Sequence, residues 1–481
     1  MPNNLGLNTG LYINGEWLTS GEKMGVYDKY SRELISEVHI ASPEDIDKAV
    51  QAAKNAMETQ PLSPYRRYEI LKRTWELVKE HADEIARLIA REGGKPLKDA
   101  TAEVNRAIQT IMISSEEAKR IHGETVPIEA VPGSENRMGL YIRVPAGVVA
   151  AIAPFNFPIN LVVHKVAPAI AAGNAVVLKP ASTTPLTSIY LCSLLEQAGL
   201  PKGYINLVIG PGHTVGDYLV SHPDVKVISF TGSPSVGLRI KQKSGFSKVV
   251  LELGNNSGNI VHSDADLDLA AEVLARRAYG SAGQFCVSVQ RIYVQEDVVD
   301  EFSRKMVEAT RKLVVGNPLS PETDVGPMIT LGEAQRVEEW IREAVRDGAE
   351  VVFGGTREEN VVQPTLLKNV KRDMKVVCEE VFGPVASIIP YKTFDEAIAA
   401  VNDSEYGLQA GVFTRNVDLA WKAARKIRAG GVIINDASSY RADVMPYGGV
   451  DKSGMGREGP RYAIEEMTDI RMVVFNLQNQ P

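Results

Sequence analysis

The stretch Val148-Val149-Ala150-Ala151-Ile152-Ala153-Pro154-Phe155-Asn156-Phe157-Pro158 decides the architecture. Five apolar residues run without polar alternation, the pattern of a strand buried on both faces. They then meet a loop held between two prolines. Ala175-Val176-Val177-Leu178 repeats the theme, and so do residues 205–209, 225–230 and 249–253. Helical segments lie between them at 161–172, 184–198, 214–221 and 235–243. Strand and helix alternate over about a hundred residues, which predicts a doubly wound parallel sheet that binds ligands beyond the carboxyl ends of its strands.

Before this block the chain reads as mostly helical. Ser42-Pro43-Glu44-Asp45 is a helix start, with Ser as N-cap, Pro at the first position and acids in the first turn. Ile46, Ala49, Val50, Ala53 and Met57 then share one face. Two further helices are predicted over 68–91 and 102–120, on either side of the turn Gly93-Gly94-Lys95-Pro96. After the block a second α/β region follows. Ser263 is expected to cap a helix whose Leu267, Ala271, Leu274 and Ala278 share a face. Arg291-Ile292-Tyr293-Val294 reads as a strand, 298–313 and 333–347 as helices, and further strands fall near Val351 and Val432. The C-terminal Ile470-Arg471-Met472-Val473-Val474-Phe475 is strand-like and needs a partner, a second subunit being one candidate.

The 481 residues are 44% hydrophobic and 23% charged, which suits a soluble chain of two or three domains. The 53 basic and 60 acidic residues leave a net charge of −7, against a nucleic-acid or anionic-membrane surface as main partner. Cys192, Cys286 and Cys378 form no CxxC pair and no disulfide framework, so a reducing, cytoplasmic setting is expected. No apolar run is long enough to span a bilayer, and MPNNLGLNTG has no signal-peptide pattern.

Several residues stand where chemistry is expected. The loop containing Gly210, Gly212 and Gly216 is one residue too long for GxGxxG, and a plain turn explains it equally well. Phe230-Thr231-Gly232-Ser233-Pro234 follows a strand and opens a helix, where free N–H groups favour a phosphate. An ordinary N-cap is its simpler reading. A lone cysteine is commonly an inert core residue, and Cys192, inside a helix, is read so. Cys286 differs, because Gly283-Gln284-Phe285-Cys286 is an open small-residue turn. Glu252 is an acid inside the apolar strand Val249-Val250-Leu251-Glu252-Leu253, either paired structurally or held as a general base. Asn156 could satisfy loop backbone or aim its amide at a developing oxyanion.

Together these segments carry a resemblance. Pro154-Phe155-Asn156-Phe157-Pro158, Leu178-Lys179-Pro180, Phe230-Thr231-Gly232-Ser233, Leu251-Glu252-Leu253-Gly254, Gly283-Gln284-Phe285-Cys286 and Glu379-Glu380-Val381-Phe382-Gly383-Pro384 stand in the order and spacing of the aldehyde dehydrogenase superfamily. The chain resembles its lactaldehyde dehydrogenase-like and non-phosphorylating glyceraldehyde-3-phosphate dehydrogenase-like branches. It departs from the common pattern after the glutamate motif, where Asn255-Asn256 replaces Gly-Lys.

The resemblance implies a Rossmann-like NAD(P)-binding domain at 1–122 and 145–251 and an α/β catalytic domain at 252–454. It also implies a small β oligomerisation arm at 123–144 and 460–481, in a homodimer or homotetramer. Cys286 is then the nucleophile, acting as a thiolate of low pKa. Asn156 and the Cys286 N–H hold the oxyanion, Glu252 activates the deacylating water, and Lys165 and Glu458 relay or hold protons. A CoA-acylating enzyme is the rival, since a thiol acceptor needs no such base.

The cofactor is expected to be NAD or NADP, with no metal. By resemblance Ala153, Pro154, Phe155, Lys179, Ser182, Gly212, Gly216, Thr231, Gly232, Ser233, Glu380 and Phe382 line its site. NAD-specific relatives usually carry a glutamate where this chain has Ser182, so NADP should be tolerated and could be preferred. Arg106 and Arg441, with Phe157 and Phe285, are expected at the substrate. Two arginines suit a small polar or anionic aldehyde of the lactaldehyde, sulfolactaldehyde or semialdehyde type.

Overall fold

The structure, a computed structural model, describes residues 8–477. The outermost parts of two expected segments, 1–7 and 478–481, lie outside the described residues.

Val148–Ile152 is fully buried and sits at the centre of an eight-stranded sheet. On one side lie Val176–Lys179 and Ile205–Leu207, and on the other Val225–Thr231 and Lys248–Glu252, all parallel. The chain therefore moves outward in one direction and returns to the opposite side of its first strand. That reversal opens a crevice at the carboxyl ends of Val148–Ile152 and Val225–Thr231. Two short antiparallel segments extend the edges. Leu11–Ile13 pairs with Ile205–Leu207, and Gly454–Met455 with Lys248–Glu252.

A second, seven-stranded sheet is built around Gly258–Val261, Arg291–Gln295, Val385–Tyr391 and Gln409–Phe413, again parallel at its centre. It begins six residues after the first sheet delivers Glu252, so the acid stands at the elbow between the two cores.

Local chemistry explains most helix starts. Ser42 and Asp45 form a reciprocal capping box on Pro43–Thr59. Four expectations change. The predicted helix 68–91 is two helices, Pro64–Glu80 and Ala82–Gly93, broken at His81. The next helix, Leu97–Ala118, starts earlier, straight after Pro96, because Pro is compatible with a helix entry. The cap of Leu267–Tyr279 is Asp266, whose side chain accepts from Leu269 N–H, and not Ser263. The C-terminal strand Thr468–Asn476 finds its partner within the chain, matching Arg137–Pro145 over nine residues. Among the described residues its other edge stays unpaired, and it carries exposed Ile470, Met472 and Val474.

Candidate active site

Cys286 stands just past a strained turn. Ser281 and Ala282 take φ values of 49° and 54°, and Gly283 takes 66°. A left-handed L-residue costs roughly 1–2 kcal/mol, and a Cβ on Gly283 would overlap the Gly383 carbonyl. The turn leaves Phe285 and Cys286 on the wall of a cleft of about 290 Å³ between the two cores, with Phe157 opposite.

The thiol is not the low-pKa group the sequence suggests. Burial pushes it up to about 12, although a hydrogen bond from Tyr447 opposes the rise. The Tyr447 hydroxyl lies 3.2 Å from Sγ, and the Arg441 guanidinium stacks 3.7 Å from the centre of the Tyr447 ring. A resting thiol is the physical expectation here, because burial outweighs both the Tyr447 hydrogen bond and the Arg441 charge, which favour the thiolate.

Glu252 lies at the end of its strand with 3% exposure, and neither carboxylate oxygen has a hydrogen-bond partner among the described residues. Burial and the neighbouring Glu458 hold its pKa well above the usual carboxylate range. Glu458 shows the opposite behaviour. Burial works against its charge, but Lys165 at 2.8 Å and Arg441 at 3.1 Å hold it ionised. Two buried carboxylates are thus driven apart, one kept neutral and one kept charged. Lys165 also donates to Thr231 Oγ1 at 2.7 Å, which ties this cluster to the cofactor-sheet edge. Asn156 donates one amide hydrogen to Gln284 O at 2.9 Å, and among the described residues its second hydrogen has no acceptor.

The carboxyl ends of the first sheet gather groups suited to a dinucleotide. Lys179 is buried, its pKa lowered to about 8 by desolvation, and it donates to the Pro180 carbonyl at 3.2 Å. Gly216 lies against the Lys179 stem, and Gly212 faces open space. Gly212 to Gly216 form a single wide turn leading into Asp217–Ser221, not a long phosphate-binding helix. Ser182 donates to Gly210 O at 2.7 Å, so the two loops are joined. Ser233 precedes the helix Pro234–Lys243 without capping it, leaving the first N–H groups free for an anion. Glu380, near 7 because of burial, accepts from Asn255 N–H at 2.9 Å. Phe155 and Phe382 meet edge to face, 5.9 Å between centres, and Ala153 and Pro154 lie just ahead of Phe155.

At the other end of the cleft, Arg106 is gripped by Asp443 through two bonds, Nε at 3.1 Å and Nη2 at 2.7 Å. Asp443 also lies 2.8 Å from Nε2 of the buried His164. Lys95 pairs with Glu103 at 2.5 Å and stands 3.6 Å over the Phe157 ring. Arg276 and Arg277 line the mouth. Sequence reading missed Tyr447, Asp443 and His164. Tyr447 lies in Pro446-Tyr447-Gly448-Gly449, a turn signature that flagged a loop but not its target. Of the other two cysteines, Cys192 is fully buried and Cys378 exposed.

A cleft-lining thiol, a buried unpartnered carboxyl and a side-chain amide, gathered at the carboxyl ends of a parallel sheet, are the groups that a thiol-dependent oxidoreductase needs. Residues 17–473 match the aldehyde dehydrogenase family, and the chain belongs to that family. It is 54% identical over 468 residues to a 3-sulfolactaldehyde dehydrogenase of Priestia megaterium, covering 97% of this chain and 98% of that one. It is 40% identical over 471 residues to a lactaldehyde dehydrogenase of Methanococcus maripaludis, covering 97% and 100%. The glyceraldehyde-3-phosphate dehydrogenase GapN of Methanocaldococcus jannaschii, solved with NADP, superposes with a TM-score of 0.91 at 40% identity, over 95% of this chain and 100% of that one.

Proposed function

We propose that the chain oxidises a small polar aldehyde with an anionic end, of the sulfolactaldehyde type, to its acid with NAD or NADP. The observation that carries this reading is the cleft leading to Cys286, whose walls hold Lys95, Lys98, Arg106, Arg276, Arg277 and Arg441. Of these, Arg276 and Arg277 have no carboxylate partner among the described residues. The names of the two curated relatives agree with a short polar aldehyde.

In this mechanism Cys286 gives its proton to water in the cleft as the aldehyde enters, and its sulfur adds to the carbonyl carbon. The second amide hydrogen of Asn156 and the Cys286 N–H hold the oxyanion, each such donor being worth on the order of 3 kcal/mol. A nicotinamide held beside Cys286 would supply the hydride acceptor, and loss of hydride from the adduct leaves a thioester on Cys286. Glu252 in its deprotonated form, whose share grows as pH rises, then takes a proton from the water that releases the acid. Lys165 and Glu458 carry that proton away from the elbow. For the cofactor, Lys179 and Ser182 would hold the adenosine ribose, and Gly212 and Gly216 would leave room for the adenine side. Thr231, Gly232 and Ser233 would hold the pyrophosphate, and Glu380 with Phe382 would hold the nicotinamide ribose.

The first sheet is then the cofactor domain and the second the catalytic domain. The arm around Arg137–Pro145 and Thr468–Asn476 joins subunits of a homodimer or homotetramer through its unpaired apolar edge. The three free cysteines agree with the cytoplasm.

The test compares sulfolactaldehyde with lactaldehyde and succinate semialdehyde with butanal. The anionic member of each pair should show the higher kcat/KM, with an advantage that shrinks as salt rises. Arg276→Ala and Arg277→Ala, at the two cleft arginines without a carboxylate partner, should cost about 1.5–3 kcal/mol with anionic substrates and little with neutral ones. Equal losses would assign these arginines to shaping the cleft and reopen the substrate to neutral and aromatic aldehydes.

A further inference from the structure

The short helix Lys375–Cys378 ends just before Glu380. Helix ends leave carbonyls without intrahelical partners. Here four successive carbonyls are met by two buried side-chain amides. Gln290 Nε2 donates to Val376 O at 3.3 Å and to Glu379 O at 2.5 Å, while its Oε1 accepts from Val381 N–H at 3.1 Å. Asn256 Nδ2 donates to Val377 O at 3.1 Å and to Cys378 O at 3.2 Å. Its Oδ1 accepts from Ser404 Oγ at 2.7 Å. Asn256 and Gln290 are 1% and 5% exposed, so water cannot replace them cheaply.

Glu380 turns back toward the same elbow. Asn255 N–H donates to its Oε1 at 2.9 Å, and a Cβ on Gly254 would overlap its Oε2. The elbow from Gly254 to Asn256 therefore grips Glu380 twice, at its carboxylate and through the carbonyls of the segment that carries it. The same elbow leaves the strand that ends in Glu252. Asn255-Asn256 is the place where this sequence departs from its family's common pattern, and the departure supplies the amide.

We propose that Asn256 and Gln290 are positioning residues that set Glu380 for the nicotinamide ribose, a role resting on the reading of Glu380 as the ribose acid. Gln290→Met keeps length and volume but removes the amide. Asn256→Asp sets a carboxylate against two carbonyls. Each should raise KM and Kd for NAD⁺ and NADP⁺ about tenfold. The rate at which iodoacetamide alkylates Cys286 without dinucleotide should change by less than about twofold, the small effect of moving the Glu380 charge, whereas a general loosening of the fold would alter it more. Combined with Glu380→Gln, either change should add less than about threefold to the cofactor KM, because both act on one group. Multiplying losses in the double variants would overturn the proposal, as would unchanged cofactor affinity in Gln290→Met. Gln290→Met alone carries the test if Asn256→Asp does not fold. Should Glu380→Gln itself leave cofactor binding untouched, the reading of Glu380 falls and takes this role with it.

Discussion

The Tyr447 hydroxyl lies 3.2 Å from the Cys286 sulfur. It is the polar contact made by a thiol that burial otherwise holds neutral. The contact stabilises the charged sulfur more than the neutral one, so it sets how readily the nucleophile forms.

Tyr447→Phe should therefore slow acylation. Losing one hydrogen bond to a forming thiolate is worth about 1.5 kcal/mol, or roughly tenfold in rate. The check is the pH dependence of Cys286 alkylation, which should move to higher pH in the variant. A profile that does not move would remove Tyr447 from thiol activation. Cys286→Ala gives the baseline, with no turnover and nearly unchanged cofactor binding.

Glu252→Gln should retain the first turnover and lose the steady state. General-base assistance typically contributes 10²–10⁴-fold, so steady-state kcat should fall by about a hundredfold or more while a burst of NAD(P)H persists. Because the Glu252 pKa is raised by burial and Glu458, its active, deprotonated form grows as pH rises. The parent's kcat should climb with pH through that raised value, and the Gln variant should lose this limb. Loss of the burst itself, with the fold and cofactor affinity intact, would mean that Glu252 acts before the thioester forms.

Ser182→Glu should shift preference toward NAD. The serine now spends its hydroxyl on Gly210 O, and Lys179 is the cation nearest in sequence. A carboxylate there would oppose a 2′-phosphate by several kcal/mol at an effective dielectric of about 20, before screening. At least a tenfold fall in kcat/KM for NADP relative to NAD is expected, roughly 1.4 kcal/mol. An unchanged ratio would place the 2′-phosphate elsewhere.

Glu92 supplies a stability test. Its buried carboxylate accepts from the N–H groups of Leu186 and Thr187, both at 2.9 Å, at the start of Leu186–Gln197. Burial nevertheless raises its pKa to about 7. A group whose folded pKa lies above its unfolded one binds protons more tightly in the native state. Its contribution is full below about pH 4.3 and is lost as pH climbs through about 7, a change of about 4 kcal/mol at most. Glu92→Gln should flatten that slope. Urea denaturation of parent and variant at pH 5 and pH 8 measures it, and parallel slopes would show that Glu92 does not titrate in this window.

What the sequence determined by itself is whatever short-range pattern carries. Uninterrupted apolar runs such as Val148-Val149-Ala150-Ala151-Ile152 can satisfy themselves only inside a sheet covered on both faces, so the parallel core was readable. The ordered motifs around Asn156, Glu252, Cys286 and Glu380 named the family, which the family match bears out. The tertiary structure alone decided the electrostatics of the site. Whether Cys286 is thiol or thiolate depends on burial and on Tyr447, 161 residues away in the chain. The engagement of Arg106 by Asp443 spans 337 residues, and the tuning of Glu458 against Glu252 needs Lys165 and Arg441 from two other segments. Charge–charge energies depend on distance and on the local dielectric, and neither is fixed until the two sheets pack around the cleft.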